Sequence, residues 1–422
     1  MKPSLQTRAS ALEILKDVFD KKITVTLSFA KCKSLKEMTP ADEKFTRLLV
    51  LTSLRRYGQA KAILSSYVKK KFSGKKKEVE RILILAIVQL YFLKTPPHAV
   101  VDTSVELTKV LRLKFFSGFV NGVLHAVCNK MTNELPDELL NLPIWLKENW
   151  LSVYGEEKTR GFIKYFNSDP ILDISVKGNP EKWAEKLNGK VVNQKTIRCS
   201  FTENIPSLPG FEDGEWWVQE ASAALPVRLF STVCGKKGAD LCAAPGGKTA
   251  ALASQGAFVD AYDISENRLE RLKENLKRLR LEDKVRVICS DTLYIEEKES
   301  YDFVLLDAPC SATGTMKRHP DLMYLRKEED VFRLSELQKE MLEKACSFLK
   351  KGGELVYSTC SLQQEENEAL VQSFLNDHID MERITPSNKD LNPFLNEFGA
   401  VQVLPNVNGE QDGFYAVLLR KK

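Results

Sequence analysis

The chain has 422 residues, 43% hydrophobic and 28% charged, a composition ordinary for folded soluble protein and a length sufficient for two or three domains. Its net charge of +5 is too mild to establish a polyanionic partner by itself. No uninterrupted apolar segment approaches the roughly 20 residues needed to cross a bilayer, and Met1-Lys2-Pro3-Ser4 carries no apolar signal region, so a cytoplasmic protein without a membrane partner is expected.

From Ser4 to about Asn129 apolar residues recur three and four apart: Ala11, Leu12, Ile14, Leu15 and Val18, then Phe45 to Tyr57, Val79 to Leu93 and Val100 to Leu111. This predicts an all-helical bundle domain, with Lys94 and Pro96-Pro97 marking a break between helices. From about Leu142 to Pro209 a Trp-containing helix (Ile144 to Val153) mixes with β-like pieces, Ile171 to Val176 and Val191 to Arg198, which predicts a small α+β module. From Gly210 onward strand and helix alternate, a pattern that demands a parallel sheet with helices on both faces. Its strands are predicted at Lys237 to Leu241, Phe258 to Asp263, Val285 to Cys289, Phe303 to Asp307 and Glu354 to Ser358, with Gly413 to Arg420 a final antiparallel strand at an edge. The expected domains are residues 1–135, 136–210 and 211–422.

The first of these strands runs into Asp240-Leu241-Cys242-Ala243-Ala244-Pro245-Gly246-Gly247-Lys248-Thr249, where small residues and paired glycines let the backbone approach a ligand at a helix amino terminus. Asp263 ends the next strand, placed to accept from ribose hydroxyls, and Asp291 follows the third, placed to accept from an adenine amine. Three such loops on one sheet edge predict a nucleoside pocket, and these residues leave the choice of nucleoside cofactor open. Gly246-Gly247 departs from the G-x-G-x-x-G spacing of an NAD site, and the P-loop pattern would need a glycine where Cys242 stands.

Nine cysteines form neither a Cys-x-x-Cys pair nor a Cys/His cluster of metal spacing, so neither a disulfide framework nor a metal is expected. Two of them end strands at the same sheet edge: Cys310 in Asp307-Ala308-Pro309-Cys310 and Cys360 in Ser358-Thr359-Cys360-Ser361. Two thiols converging on a cofactor turn point to covalent chemistry. The other candidates, Cys32, Cys128, Cys199, Cys234, Cys289 and Cys346, are read as small buried hydrophobes, and Cys242 as offering its backbone to the cofactor.

Three stretches, Asp240 to Thr249, Asp307 to Asp321 and Tyr357 to Glu366, together resemble the RNA (cytosine-5) methyltransferases that use S-adenosyl-L-methionine. The helical amino-terminal region resembles the NusB-type RNA-binding domain, and the whole chain is similar to the 16S ribosomal RNA enzymes of that family. The resemblance implies a Rossmann-like domain with a mostly parallel seven-stranded sheet, preceded by the all-α domain and the α+β module. It implies Cys360 as the attacking thiol, Cys310 in release, and Asp307 beside the base with Lys248 assisting. Cys242, Ala243, Ala244, Pro245, Gly246, Gly247, Lys248, Asp263, Asp291 and Asp307 would then surround the cofactor. The need for a thiol follows from chemistry: carbon 5 of cytosine is a poor nucleophile until a thiolate adds at carbon 6 and makes it an enamine. Removing the carbon-5 proton and expelling the thiol then calls for a second group.

The expected partner is 16S ribosomal RNA, presented as an unstacked loop cytosine to a monomeric enzyme. Arg47, Arg55, Arg56 and Tyr57, the lysines at 69–71 and 75–77, and the path Lys317-Arg318, Arg326 and Arg333 are candidate RNA contacts. Trp216-Trp217 are expected to pack on the sheet, with base stacking the minor alternative. Asp302 is read as a solvated strand-start residue. The competing readings are the same chemistry on tRNA or another RNA, and a noncatalytic RNA-binding factor.

Overall fold

The computed structural model describes residues 2–74, 76–199 and 204–422, so Lys75 of the basic stretch lies outside the described residues. The chain divides into two compact units, Met1–Ser168 with Met316–Lys327, and Asp169–Thr315 with Glu328–Lys422.

The first unit carries α1 (Pro3–Lys21), α2 (Val25–Lys31), α3 (Pro40–Tyr67), α4 (Lys76–Tyr91), α5 (Pro97–Val110), α6 (Ser117–Asn129) and α7 (Ile144–Phe166). Capping residues fix several starts: the Thr24 hydroxyl accepts from the Leu27 N–H, and the Thr39 hydroxyl accepts from the Asp42 N–H with Pro40 in the first turn. Every residue of α4 from Arg81 to Tyr91 is buried, so this helix, apolar on all sides, is the axis around which the others pack. The predicted break falls where Lys94 takes a left-handed φ of 52° and Pro97 opens α5. The tryptophan helix extends thirteen residues beyond its predicted end at Val153, because Gly155 (φ 78°, ψ 171°) only interrupts it.

The second unit begins with an antiparallel sheet in the order β2-β3-β1-β4, made of β1 (Leu172–Val176), β2 (Gly189–Asn193), β3 (Thr196–Cys199) and β4 (Trp216–Val218), with α8 (Pro180–Lys186) after β1. The single piece expected from Val191 to Arg198 is a hairpin turning at Gln194-Lys195, where no glycine announces the turn. Ile174, Trp183, Ile197 and Trp216 form its core.

The large sheet comprises β5 (Lys237–Leu241), β6 (Phe258–Asp263), β7 (Val285–Cys289), β8 (Tyr301–Asp307), β9 (Leu349–Thr359), β10 (Met381–Arg383), β11 (Val401–Val403) and β12 (Phe414–Lys421). Its continuous path of seven strands runs β10-β12-β9-β8-β5-β6-β7, and β11 pairs with β12 in addition. The five strands β5 to β9 are mutually parallel, while β12 is antiparallel to β9. The final strand is therefore antiparallel as expected but lies inside the sheet, because β10 and β11, three residues each and too short to announce themselves, flank it. The helices α9 (Gly247–Ser254), α10 (Glu266–Arg278), α12 (Glu328–Phe348) and α13 (Glu368–Asp377) complete this unit. The chain leaves β5 for β6 on one side and returns to β8 on the other, so the carboxyl ends of β5 and β8 bound a topological switch point, the usual place for a ligand.

Between β8 and α12 the segment Met316–Lys327, with the short α11 (Leu322–Leu325), belongs to the helical unit. The Tyr324 ring lies 4.9 Å from Phe19 and 5.8 Å from Tyr57, and its hydroxyl donates to the Leu54 carbonyl at 2.6 Å. Arg55 donates to the Lys317 carbonyl at 2.6 Å, and Asp321 accepts from the Val25 N–H at 3.0 Å.

Candidate active site

The turn after β5 is shaped by two left-handed residues, Cys242 (φ 62°) and Gly246 (φ 100°), with α9 starting at Gly247. At Gly246 a side chain would also press on Leu272, whose Cγ lies 3.0 Å from a built Cβ, so glycine answers both needs. Asp263, at the end of β6, is buried and holds this turn from beneath: its carboxylate accepts from the Ala244 N–H at 3.1 Å and the Ser265 N–H at 3.0 Å. Arg268, half exposed, covers it at 3.3 Å. Asp291 stands half-buried after β7 and accepts from the Leu293 N–H at 3.0 Å. The Asn275 amide donates to the Pro245 carbonyl at 3.3 Å.

The end of β8 brings Asp307 beside this turn. Its carboxylate accepts from Lys248 Nζ at 2.7 Å and from the Ser358 hydroxyl at 3.0 Å, joining α9, β8 and β9 at one point. The Cys310 and Cys360 sulfurs lie 3.5 Å apart. Cys310 is buried and Cys360 only partly so, which gives a reactant access to the second thiol first. The hydrogen bond with Cys360, then burial, then the charges of Cys360 and Glu366 hold the Cys310 thiol well above the usual cysteine range. Cys242, the third thiol nearby, is pushed up to about 12 by burial and by the carboxylates of Asp307, Asp263 and Asp240. It stays a neutral thiol at physiological pH.

Every sequence-predicted site residue therefore lies on the carboxyl edge of β5 to β9 or on the turn it feeds. Two residues to which sequence reasoning gave no role also belong to the frame. Asp240, wholly buried, accepts from the Thr249 hydroxyl at 2.6 Å and ties β5 to α9. Glu366 is buried among the loops that carry both cysteines. The serine that follows each cysteine, Ser311 and Ser361, was the available signal.

Of the other expectations, some hold and some are corrected. Arg55 and Lys317 are buried at 4% and 2% exposure, Tyr57 packs on Phe19 and Tyr324, and the Lys317 ammonium sits 4.1 Å from the Tyr165 ring, so these side chains build the helical unit rather than an open phosphate path. Arg56 lies over Phe92, and Arg47 and Arg333 pair with Glu43 and Asp330. Lys69 to Lys71, Lys76 and Lys77 are exposed. Trp216 and Trp217 are buried and donate to the Pro209 carbonyl and to Gln219, which removes them as stacking platforms. Asp302 is engaged, accepting from the Lys237 N–H at 3.0 Å and from Lys350 at 2.8 Å. Cys32, Cys199 and Cys346 are buried as expected, Cys128 is partly covered, and Cys234 and Cys289 are exposed because they fall in a loop and at the end of the outermost strand, β7. Among the described residues no group of three or more metal-ligating side chains occurs, and no helix is long and apolar enough to cross a membrane.

Residues 234–420 match the family described as 16S rRNA methyltransferase RsmB/F, and residues 5–129 match the NusB family. Ribosomal RNA small subunit methyltransferase B of Pectobacterium atrosepticum is 31% identical over 439 residues, covering 100% of both chains. This chain belongs to the RsmB/F methyltransferase family. Among solved structures, PH0851 shares its fold with a TM-score of 0.78 over 100% of this chain and 99% of that one, at 23% identity. A methyltransferase homologue from Pyrococcus horikoshii is 30% identical, with a TM-score of 0.56, over 66% of this chain and 95% of that one. The cofactor of this RsmB/F-family chain is S-adenosylmethionine. The site's donor set fits it: backbone N–H groups at the start of α9, acids after β6 and β7 for a nucleoside, and Asp307 at the switch point.

Proposed function

We propose that this chain methylates carbon 5 of a cytosine in 16S ribosomal RNA through a covalent bond between Cys360 and carbon 6 of the base. The 3.5 Å approach of the two thiols, with Cys360 the more open, carries this reading. Residues Cys242 to Lys248 with Asp263, Asp291 and Asp307 would hold S-adenosylmethionine, which when bound supplies an electrophilic methyl group to carbon 5. The Cys360 thiolate adds to carbon 6 and pushes electron density into the ring. Asp307, held by Lys248 and Ser358, accepts from the exocyclic amino group of the cytosine and orients the base, while the Lys248 ammonium beside it offsets the negative charge that the addition creates on the ring. The carbon-5 proton then passes to solvent water as the Cys360–carbon 6 bond breaks and its electron pair returns to Cys360 as a thiolate, which restores the aromatic ring, and the Cys310 thiol assists by hydrogen-bonding that leaving sulfur 3.5 Å away. Its raised pKa keeps it protonated beside Cys360, so it does not compete as the nucleophile. In this reading residues 1–135 bind RNA, residues 136–210 link and add contacts, and residues 211–422 catalyse, in a monomer working in the cytoplasm.

The test is transfer of labelled methyl from S-adenosylmethionine to unmodified 16S rRNA, with digestion to nucleosides and Cys360→Ala as control. Labelled 5-methylcytidine that disappears in the variant is expected. Label in another nucleoside, or undiminished transfer by Cys360→Ala, overturns the chemistry; label on tRNA alone overturns the substrate.

A further inference from the structure

Glu366 is fully buried, yet none of its four hydrogen-bond donors is a cation. Oε1 accepts from the Ser311 N–H at 2.7 Å and the Gln338 amide at 3.1 Å. Oε2 accepts from the Ser311 hydroxyl at 2.5 Å and from the Ser361 hydroxyl. Burial pushes the Glu366 carboxyl up, and the two donors on each oxygen oppose that push by matching the four lone-pair sites of a carboxylate. Ser311 follows Cys310, and Ser361 follows Cys360, so one carboxylate is bonded to the residue beside each thiol. Gln338 extends the same grip, because its amide also donates to the carbonyl of Pro309, on the other side of Cys310, at 2.8 Å. The Tyr357 hydroxyl donates to the Glu366 carbonyl at 2.6 Å, and the Asn367 amide donates to the Ser361 carbonyl at 2.9 Å, which fixes the carboxylate's own backbone to β9 and to the Cys360 loop.

We propose that Glu366 is a positioning residue that sets the separation of the two thiols by bonding the residue next to each. Burying a carboxyl with no cation bonded to it is expensive, and here four oriented donors replace its water. What that expense secures is geometry: Cys310 sits on the loop after β8 and Cys360 on the loop after β9, and no covalent link within 49 residues joins them. The proposal rests on the two-thiol chemistry given above, but its test does not depend on it.

In the full-length protein the rate at which diamide, which takes two protons and two electrons, joins Cys310 to Cys360 reads the separation directly, with no RNA or methyl donor present. Glu366→Ala is expected to slow this cross-linking at least about tenfold and to lower kcat by about 100-fold, with KM for S-adenosylmethionine and RNA unchanged, since a misplacement near 1 Å costs about that much. If Glu366→Ala does not fold, the Ser311→Ala/Ser361→Ala double variant, which removes two donors and leaves the carboxylate in place, decides instead, with cross-linking slowed about threefold or more. Wild-type cross-linking in a folded Glu366→Ala, or in the double variant, overturns the proposal. A methylated product other than 5-methylcytidine would sink the chemistry while leaving the cross-linking comparison to judge Glu366.

Discussion

Cys310 and Cys360 carry the same functional group 3.5 Å apart, and only their surroundings divide the work. The hydrogen bond with Cys360, then burial and the neighbouring charges hold the Cys310 thiol neutral, so in the proposed mechanism its loss should leave the first bond to RNA intact while blocking release. Cys310→Ala is therefore expected to accumulate as an RNA-linked band on a denaturing gel when supplied with RNA and S-adenosylmethionine; free turnover would remove its assigned role. Lys248 gives Asp307 a charged hydrogen bond at 2.7 Å. Lys248→Met should cost about 1.5–3 kcal/mol of transition-state stabilisation, roughly 10- to 150-fold in kcat/KM. Asp240 makes a pH prediction, because burial pushes its carboxyl up to about 7. The folded protein thus holds a proton that the unfolded chain has released above about pH 4. Its contribution to stability is whole below that pH and is lost as pH rises toward 7. Asp240→Asn should flatten the fall of melting temperature over that window, and an unchanged profile would count against the assignment.

At the scale of elements, the parallel strands were legible because each is a short apolar run bounded by polar turns, and β5, β6 and β7 have the predicted limits. The β2–β3 hairpin was not, since its one turn signal is Asn193, whose side chain accepts from the Lys195 N–H, and three-residue strands such as β10 and β11 leave too little pattern to read. The cysteines, Asp307 and the cofactor turn were legible from motif and strand order. Glu366 was not, because in a polar run such as Gln363-Gln364-Glu365-Glu366 burial depends on a loop 55 residues away. Packing between loops is equally invisible in sequence. Gly314 and Gly413 touch so closely that a Cβ on Gly314 would lie 2.2 Å from the Gly413 carbonyl oxygen, and the Gly314 N–H donates to the Cys360 carbonyl at 3.0 Å. Gly314→Ala is expected to destabilise the protein by about 1–3 kcal/mol in denaturant titrations through overpacking. It should also depress methyl transfer by shifting the Cys360 loop; wild-type stability would show that the approach is not tight.

At the scale of the molecule, the helical unit is discontinuous in sequence. Met316–Lys327 packs with the helices of Met1–Ser168, through Tyr324, Arg55 and Asp321. A fragment spanning 169–422 would keep this segment without its seat. Trypsin should then cut at Lys317 or Arg318 far faster than in the full chain, where Lys317 is 2% exposed, and equal cleavage would show that the segment orders itself. The same discontinuity sets a timetable during synthesis. The first 168 residues emerge before the segment that completes them, and at 5–20 residues per second the intervening stretch takes roughly 7–30 s. For that interval Phe19 and Tyr57 lack the Tyr324 ring, so the nascent helical unit waits on the ribosome with its aromatic seat unfilled.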